Sequence, residues 1–534
     1  MRHARLLSQR RIVTALLTIA LFLATHTASG ASVSSRLLID PVGENDGDIF
    51  GSAVASVGDV NGDGYDDVIV GAHFFPSEAG QGRAYLYFGG PAMHTVADLV
   101  IPFPPGGSGW FGISVASAGD FNGDGFPDII IGARNATPTG KAFIYYGGPP
   151  LDATPDVTLT GEATASGFGT SVAPAGDVNG DSFDDVIVGA PFFGSQAGRV
   201  YVFFGGSAPD ATPDRVFTDP SPSDLLGWVV GSAGDMNGDG HPDLFATAPR
   251  YYGSGPDPGA AYVWFGGPGF DTVADLTIHG SALNDRISDV AGGDINGDGF
   301  SDLIVTRQDR AEVFLGGSTP NAVPDLAITG GFGSTATGDM NCDGVDDIVL
   351  GAAGDDTGGQ DAGRVTIYFG GGPLDAVEDM SFVGDHQNRQ FGRVVATAQR
   401  VDGPGPADLV VGAAQLDPEE LGYDTGRAYV FANSFGTTAV PPLPVPGLEF
   451  VGPQPNPAGK DVSFVLALGH PVPVRITVFD LTGHEVACPV ADEWLSGRVA
   501  RTWQPVALPS GIYYVNARLG DRMQVRKLVW LGHR

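Results

Sequence analysis

Cysteine is almost missing. Cys342 and Cys488 are the only two in 534 residues and lie far apart, so a disulfide framework is excluded. Basic residues are scarce as well. Against 62 Asp and Glu there are 28 Lys and Arg, a formal charge of −34, which argues against nucleic acid or an anionic membrane as partner and makes cations the natural ligands. Beyond the N-terminus no apolar run reaches membrane-spanning length, so no transmembrane helix is expected in the mature chain. Gly is 81 and Pro 40 of the residues, a composition of frequent turns in which long helices are not expected. Catalytic signatures are also lacking: no HExxH, GxSxG or GxxxxGK[ST] pattern occurs, so no enzyme activity is expected. "GSGWFG" (107–112) matches GxGxxG by letters but precedes a strand, which makes it a turn. Asn135-Ala136-Thr137 is a sequon whose use depends on the host.

What the chain does have begins with a basic and then apolar leader. Arg2, Arg5, Arg10 and Arg11 precede an apolar run of about 13 residues and then small residues, the layout of a secretory signal peptide over 1–30 with cleavage after Gly30. The alternative is an uncleaved anchor, and the Arg10-Arg11 pair hints at a twin-arginine route. The mature protein is expected outside the cytoplasm, secreted or at the cell surface.

The dominant feature is a repeat. "GDVNGDGYDDVIVGA" from Gly58 returns from Gly119, Gly176, Gly234, Gly293 and Gly338, and a seventh copy, "QRVDGPGPADLVVGA" from Gln399, keeps the apolar tail but loses most acids. Each unit carries Phe-Gly or a relative shortly before the acids (Phe50-Gly51, Phe111-Gly112, Phe168-Gly169, Leu226-Gly227, Phe332-Gly333, Phe391-Gly392) and "GA" after them. Alternating strands such as "GRAYLYFGG" and "DVTLTG" follow. Four short strands per unit with Gly, Pro and Asp turns describe a propeller blade. The expected fold is all-β, a seven-bladed β-propeller over 36–433 followed by a small Ig-like β-sandwich. Residues 36–40 are expected to supply the missing fourth strand of the seventh blade and so remove its exposed edge. The repeat length, about 57 to 61 residues apart from one shorter unit, exceeds the ~40 to 50 of WD40 and kelch repeats.

The acids fall at alternate positions. Counted from Asp59, side-chain oxygens come from Asp59, Asn61, Asp63 and Asp67 and a backbone carbonyl from Tyr65, with Gly64 allowing the sharp turn between. The same positions are Asp120, Asn122, Asp124, Phe126 and Asp128 in the second unit, and Asp177, Asn179, Asp181, Phe183 and Asp185 in the third. They are Asp235, Asn237, Asp239, His241 and Asp243 in the fourth, and Asp294, Asn296, Asp298, Phe300 and Asp302 in the fifth. The sixth has Asp339, Asn341, Asp343, Val345 and Asp347. Hard oxygen donors in that number and spacing suit Ca²⁺ rather than Mg²⁺. An EF-hand would need Glu at the twelfth position and a helix after it; Val70 and β-branched residues stand there, so these are calcium loops in β-hairpins, about six structural sites. Ordinary Asx turns are the plainer reading of any one copy, and six in register outweigh it. Ser182 and Cys342 replace glycines in the third and sixth loops, which are still expected to bind; Arg400 and Pro404 leave the seventh metal-free.

Phe-Gly, the Asp-rich loop and "GA" or "GAP" in fixed order resemble the FG-GAP repeats, and the ring resembles the N-terminal propeller of integrin α subunits. The resemblance implies calcium loops serving as struts on one face and partner recognition on the other. It departs at "TAP" in the fourth unit, at the fifth, which has Arg286-Ile287 and Thr306-Arg307 in place of Phe-Gly and "GA", and at the seventh. Strand alternation also puts the acid loops on one rim and the loops after "GA" on the other. The opposite rim carries 73–81, 191–197, 249–259 and 415–425, with the doublets Phe74-Phe75, Phe192-Phe193 and Tyr251-Tyr252 either forming a recognition surface or capping the gaps between blades.

"GTTAVPPLPVPG" (436–447) is a stiff linker. Within 448–534, Pro455-Asn456-Pro457, Val478 to Gly483, Trp503, Gly511 to Tyr514 and Lys527-Leu528-Val529 resemble, in that order, the type IX secretion sorting domains and related FlgD-type Ig-like modules of bacteria. That resemblance implies export through outer-membrane secretion machinery or surface attachment; a plain structural Ig-like domain is the alternative. The sequence therefore reads as a secreted or cell-surface calcium-binding FG-GAP propeller for adhesion or recognition of an extracellular protein or glycan. A propeller associated with a secreted lipase or polysaccharide-degrading hydrolase, and a purely structural scaffold, are the alternatives.

Overall fold

The computed structural model describes residues 32–530 except 46, 77–79, 105–107, 219–223, 250–258, 281–284, 385–386, 404, 415–424, 437–447, 455–461, 480–484, 504, 506–507 and 520–521. The leader, most of the linker, Tyr251-Tyr252, most of the 415–425 loop, Pro455-Asn456-Pro457 and Asp480 to Gly483 lie outside the described residues. The chain divides into two compact units, Met1–Thr438 and Ala439–Arg534.

In the first unit every apolar tail of the repeat becomes the second strand of a four-stranded antiparallel sheet. Asp67–Ala72 is buried along its whole length, as are its counterparts. Both of its faces are covered, which is why these tails read as continuous Val and Ile rather than as an alternation. The first sheet runs Ala53–Gly58, Asp67–Ala72, Arg83–Tyr87, Leu99–Pro102. Further sheets begin with Phe111–Gly119, Val172–Gly176, Val230–Gly234, Ile287–Gly293, Ser334–Gly338 and Val394–Ala398, seven among the described residues. Each of these first strands packs on the next, and Val394–Ala398 packs back on Ala53–Gly58. The sheet of Val394–Ala398 takes its outer strand from Ser32–Ile39, antiparallel to Arg427–Gly436 with Leu37 opposite Phe431.

The recurring glycines are explained by how the sheets touch. A Cβ on Gly71 would lie 2.1 Å from Gly112 O of the next sheet, and one on Gly189 2.0 Å from Gly227 O; Gly412 meets Gly51 O in the same way at 2.1 Å. "GA" of one unit and Phe-Gly of the following unit are thus two halves of one contact. In the fourth unit the contacting glycine is Thr247, whose Oγ1 accepts the Val229 N–H (3.0 Å), and the fifth unit is the one without Phe-Gly. Two departures that look separate in the sequence are one.

The fifth sheet fills the same region with charge. Arg307, at the place of Ala72, is buried; its Nε donates to Glu312 (2.6 Å) and its Nη1 to Asp285 O (3.1 Å). Arg310 grips both carboxylate oxygens of Asp285 (2.7 and 2.9 Å) and one of Glu312 (2.7 Å). Asp289 then accepts the Thr335 N–H of the sixth sheet (3.0 Å), as Ser114 and Ser171 accept Val172 and Val230 N–H (3.1 Å each) at other junctions.

The second unit is a single five-stranded antiparallel sheet. Leu448–Gln454, Val462–Phe479, Gly511–Leu519 and Arg522–Trp530 pair in that order, and Glu485–Trp503 also pairs with Val462–Phe479. Alternate residues from both halves of the long strand, Val462, Phe464 and Leu466 with Val474, Ile476 and Val478, share one core with Val515, Leu519 and Trp530.

Candidate metal loops and the opposite rim

Each acid loop folds around its first Asp. Asp59 Oδ1 accepts the Gly62 and Asp63 N–H groups (2.7 and 2.9 Å) and Oδ2 accepts Gly64 N–H (2.7 Å), while Asn61 takes Asp63 N–H (2.8 Å) and Asp63 takes Tyr65 N–H (3.0 Å). The pattern repeats around Asp120, Asp177, Asp235, Asp294 and Asp339. Closing such a loop takes two left-handed residues, Gly62 (φ 78°) and Gly64 (φ 93°) here. Ser182 (φ 74°) and Cys342 (φ 52°) hold the same conformation with a side chain, at a cost in backbone strain.

The ninth position differs from the rest. Asp67 is fully buried, accepting Val60 N–H (3.1 Å) on one oxygen and Gly89 N–H (2.9 Å) on the other, so it ties the loop to the end of the third strand. Burial, with Asp63 and Asp59 adding repulsion, pushes its carboxyl up to about 8. Asp128, Asp185 and Asp243 rise to about 7, Asp347 to about 8 and Asp302 to about 6 for the same leading reason. Asp408 of the acid-poor seventh loop makes the same two bonds, to Val401 and Asn433 N–H. The ninth Asp is therefore a structural residue whether or not a metal is held. Its persistence in the one loop that has Arg400 and Pro404 at the first and fifth positions is the clue the sequence offered.

The expected donors of each unit are brought onto one short loop. Among the described residues, however, no group of three or more His, Cys, Asp or Glu is drawn together tightly enough to hold a metal ion, because the first Asp is turned onto the loop's own N–H groups. The chemistry of the donor set nevertheless suits a hard cation: it is all oxygen, and among the described residues no Lys or Arg ion-pairs with these six loops. In the seventh loop Asp402 is paired with Arg36 (3.2 Å).

These loops are also bonded to their neighbours at six junctions by one device. Gly148 N–H donates to Val60 O (2.8 Å), Gly206 to Phe121 O (2.8 Å), Gly267 to Val178 O (2.8 Å), Gly317 to Met236 O (2.9 Å) and Gly371 to Ile295 O (2.8 Å), and Gly90 links back to Val401 O (2.6 Å). The seventh-position side chain, expected only to lend its carbonyl, covers the preceding loop. A Cβ on Gly62 would meet the Phe126 ring at 2.6 Å, and one on Gly123 the Phe183 ring at 2.3 Å. Cys342 stands in the sixth loop, where the following unit offers Pro406 at that register instead of a ring.

The opposite rim is built of rings and arginines. The doublets split: Phe75 and Phe193 lie under Arg83 and Arg199 of their own sheets (3.6 Å each), while Phe74 and Phe192 reach Trp110 and Trp228 of the next (4.8 and 6.2 Å between centroids). Arg134 lies over Trp110 (4.4 Å). His73 is buried, its Nδ1 paired with Ser52 Oγ (2.7 Å). Burial first, then the Arg134 and Arg393 charges, hold it down to about 4, so it is neutral near pH 7. Sequence reading missed Trp110 and Trp228 because each meets a ring of the preceding unit, and Arg134 because it lies on Trp110, some two dozen residues away in its own unit.

Comparison with known proteins places these features. Residues 50–87, 111–145, 168–203 and 331–368 match the FG-GAP repeat, and residues 235–305 match the FG-GAP-like repeat. Integrin alpha-5 of Xenopus laevis is 31% identical over 222 residues, 38% of this chain and 20% of that protein. Phosphatidylinositol-glycan-specific phospholipase D of Bos taurus is 37% identical over 171 residues, 28% of this chain and 20% of that protein. Integrin alpha-7 of Homo sapiens is 40% identical over 147 residues, 26% and 12% of the two chains. The chain spans a fifth or less of the length of these relatives. Together with the four-stranded antiparallel sheets, the matches support an FG-GAP β-propeller in the first unit.

Proposed function

We propose that this chain is a secreted or cell-surface FG-GAP propeller of seven blades that holds Ca²⁺ in six loops and recognises an extracellular protein or glycan with the opposite rim. The observation that carries the calcium reading is the contrast between six oxygen-rich loops without a partner cation and a seventh in which Arg36 supplies one. Asp59, Asn61, Asp63 and Asp67, with the Tyr65 carbonyl and their counterparts, would hold the ion. A bound Ca²⁺ would supply the positive charge that lets several carboxylates share one turn. The chain's own contribution is the hydrogen-bonded rim that fixes each loop on its neighbour.

In this reading residues 1–30 direct secretion, 36–433 form the propeller, 436–447 link it onward, and 448–534 act as an Ig-like sorting domain for outer-membrane export or attachment. The integrin matches support recognition. The phospholipase match supports the second reading, a propeller that accompanies a hydrolase. The test is capture of extracellular proteins and glycans by the purified full-length protein in calcium and in EGTA, with elemental analysis of the calcium-equilibrated protein. Calcium-dependent capture is expected. A metal-free protein with unchanged capture would remove calcium from the reading, and turnover of phospholipid or polysaccharide would put the second in its place.

A further inference from the structure

We infer that the rim opposite the acid loops carries a site for an acidic oligosaccharide, in which Arg134 takes the carboxylate of one sugar and Trp228 stacks on a neighbouring one. This rests on the recognition reading above and gives its ligand a chemical class. The charge balance is the starting point. In a chain of 62 acids and 28 basic residues, Arg83, Arg199, Arg310, Arg364 and Arg427 of the first unit each find a carboxylate, at 2.5 to 3.0 Å. Arg134 does not. Among the described residues it meets only the rings of Trp110 and Phe192, and its Nε is buried without a hydrogen-bond partner.

A guanidinium held flat on an indole keeps its outer N–H edge free for bidentate binding of a carboxylate. The ligand's shape follows from what lies beside it. Phe192 separates Arg134 (5.8 Å) from Trp228 (6.2 Å), and Trp228 is 37% exposed, among the few large apolar side chains left open to solvent. A charged group and a stacking platform set one ring apart suit consecutive residues of a sugar chain better than a single small anion, since pyranose C–H faces pack on indole.

The test is titration of the full-length protein in calcium with hyaluronan, glucuronan and galacturonan hexasaccharides, each beside its carboxyl-methylated form. At least one uronate is expected to bind, more weakly as salt rises, and to lose about tenfold or more in affinity on methylation and in Arg134→Gln and Trp228→Ala. Arg134→Lys, which keeps the charge and not the fork, is expected between wild type and Arg134→Gln, and melting curves check that every variant folds. The inference is overturned if no uronate binds, if the methylated forms bind equally well, or if a hexaglutamate peptide binds as tightly, which would assign the rim to an acidic protein. Failure here with calcium-dependent capture intact would leave the recognition reading standing and remove only the acidic sugar.

Discussion

On the rim of acid loops, six of the seven junctions share one device, from Gly148 N–H on Val60 O to Gly90 N–H on Val401 O, and between the sixth and seventh sheets Ala407 N–H donates to Asp339 O (2.8 Å). On the Phe-Gly rim the device changes between the fourth and fifth sheets, where the glycine contact gives way to Thr247 and a buried Arg307–Glu312 pair. The difference teaches what can vary in a ring of repeats. A Phe-Gly contact belongs to one junction and can be exchanged there, on both halves between the fourth and fifth sheets and on one between the fifth and sixth, where Thr306 replaces the glycine and Phe332-Gly333 remains. An acid loop is at once its own turn, the acceptor for the next sheet and the seat of the next loop's ring, and the single replacements it carries, Ser182 and Cys342, keep the left-handed backbone of the glycine they replace.

The comparison can be broken most severely by removing the metal. EGTA is expected to cost about 2.7 kcal/mol for every site that calcium saturates at ~100 times its Kd, so several sites should lower the melting temperature by many degrees. An unchanged melting curve would mean that the acid rim stands on hydrogen bonds alone. Next comes the exchanged junction. Arg307→Ala removes one of the two arginines on Glu312 and the donor to Asp285 O, leaving Glu312 with Arg310, and should cost about 2 to 4 kcal/mol in urea unfolding; a loss below about 1 kcal/mol would show the ion pair to be ornamental.

The unexchanged junctions give a smaller effect. Gly189→Ala drives a methyl to 2.0 Å from Gly227 O and is expected to cost about 1 to 3 kcal/mol, more than Thr247→Ala, where the contact is already gone. If the two cost the same, "GA" and Phe-Gly are not halves of one feature.

Asp289 tests the seam between the fifth and sixth sheets through pH. Desolvation raises its carboxyl from the ordinary 3.8 to about 7, so the folded state holds the proton over a range where the unfolded chain has released it. Its contribution is therefore fullest below about pH 4 and is lost as pH rises toward 7. Asp289→Asn, which can still accept Thr335 N–H, should gain stability relative to wild type by about 1 kcal/mol between roughly pH 5 and 8. A difference that does not change with pH would refute the shift. Smallest is Ser182→Gly, which relieves a left-handed serine whose place in the other full loops is held by glycine with φ near 90°. It should stabilise by up to about 1 kcal/mol, read as a higher urea midpoint with an unchanged slope.

How far the sequence could be read depended on whether a feature lies within one unit. The acid loops and the repeated four-strand pattern were legible, because a tight turn demands Asp, Asn and Gly at fixed offsets and a doubly covered strand demands unbroken Val and Ile. Features made between units were not. Phe126 over Gly62, Thr247 beside a unit that lacks Phe-Gly, and Phe74 on Trp110 join residues whose partners no local pattern marks. Asp67 was read as a metal donor, and its bonds to Val60 and Gly89 N–H show a second duty.

The pairing of Ser32–Ile39 with Arg427–Gly436 also sets the order in which this molecule can mature. The ring has no finished seventh member until almost four hundred intervening residues have been synthesised, and loop closure of that length comes late in folding. A ribosome therefore handles an open arc with two sticky flanks for most of its work. Cutting away either partner strand should return the molecule to that vulnerable, unlatched form.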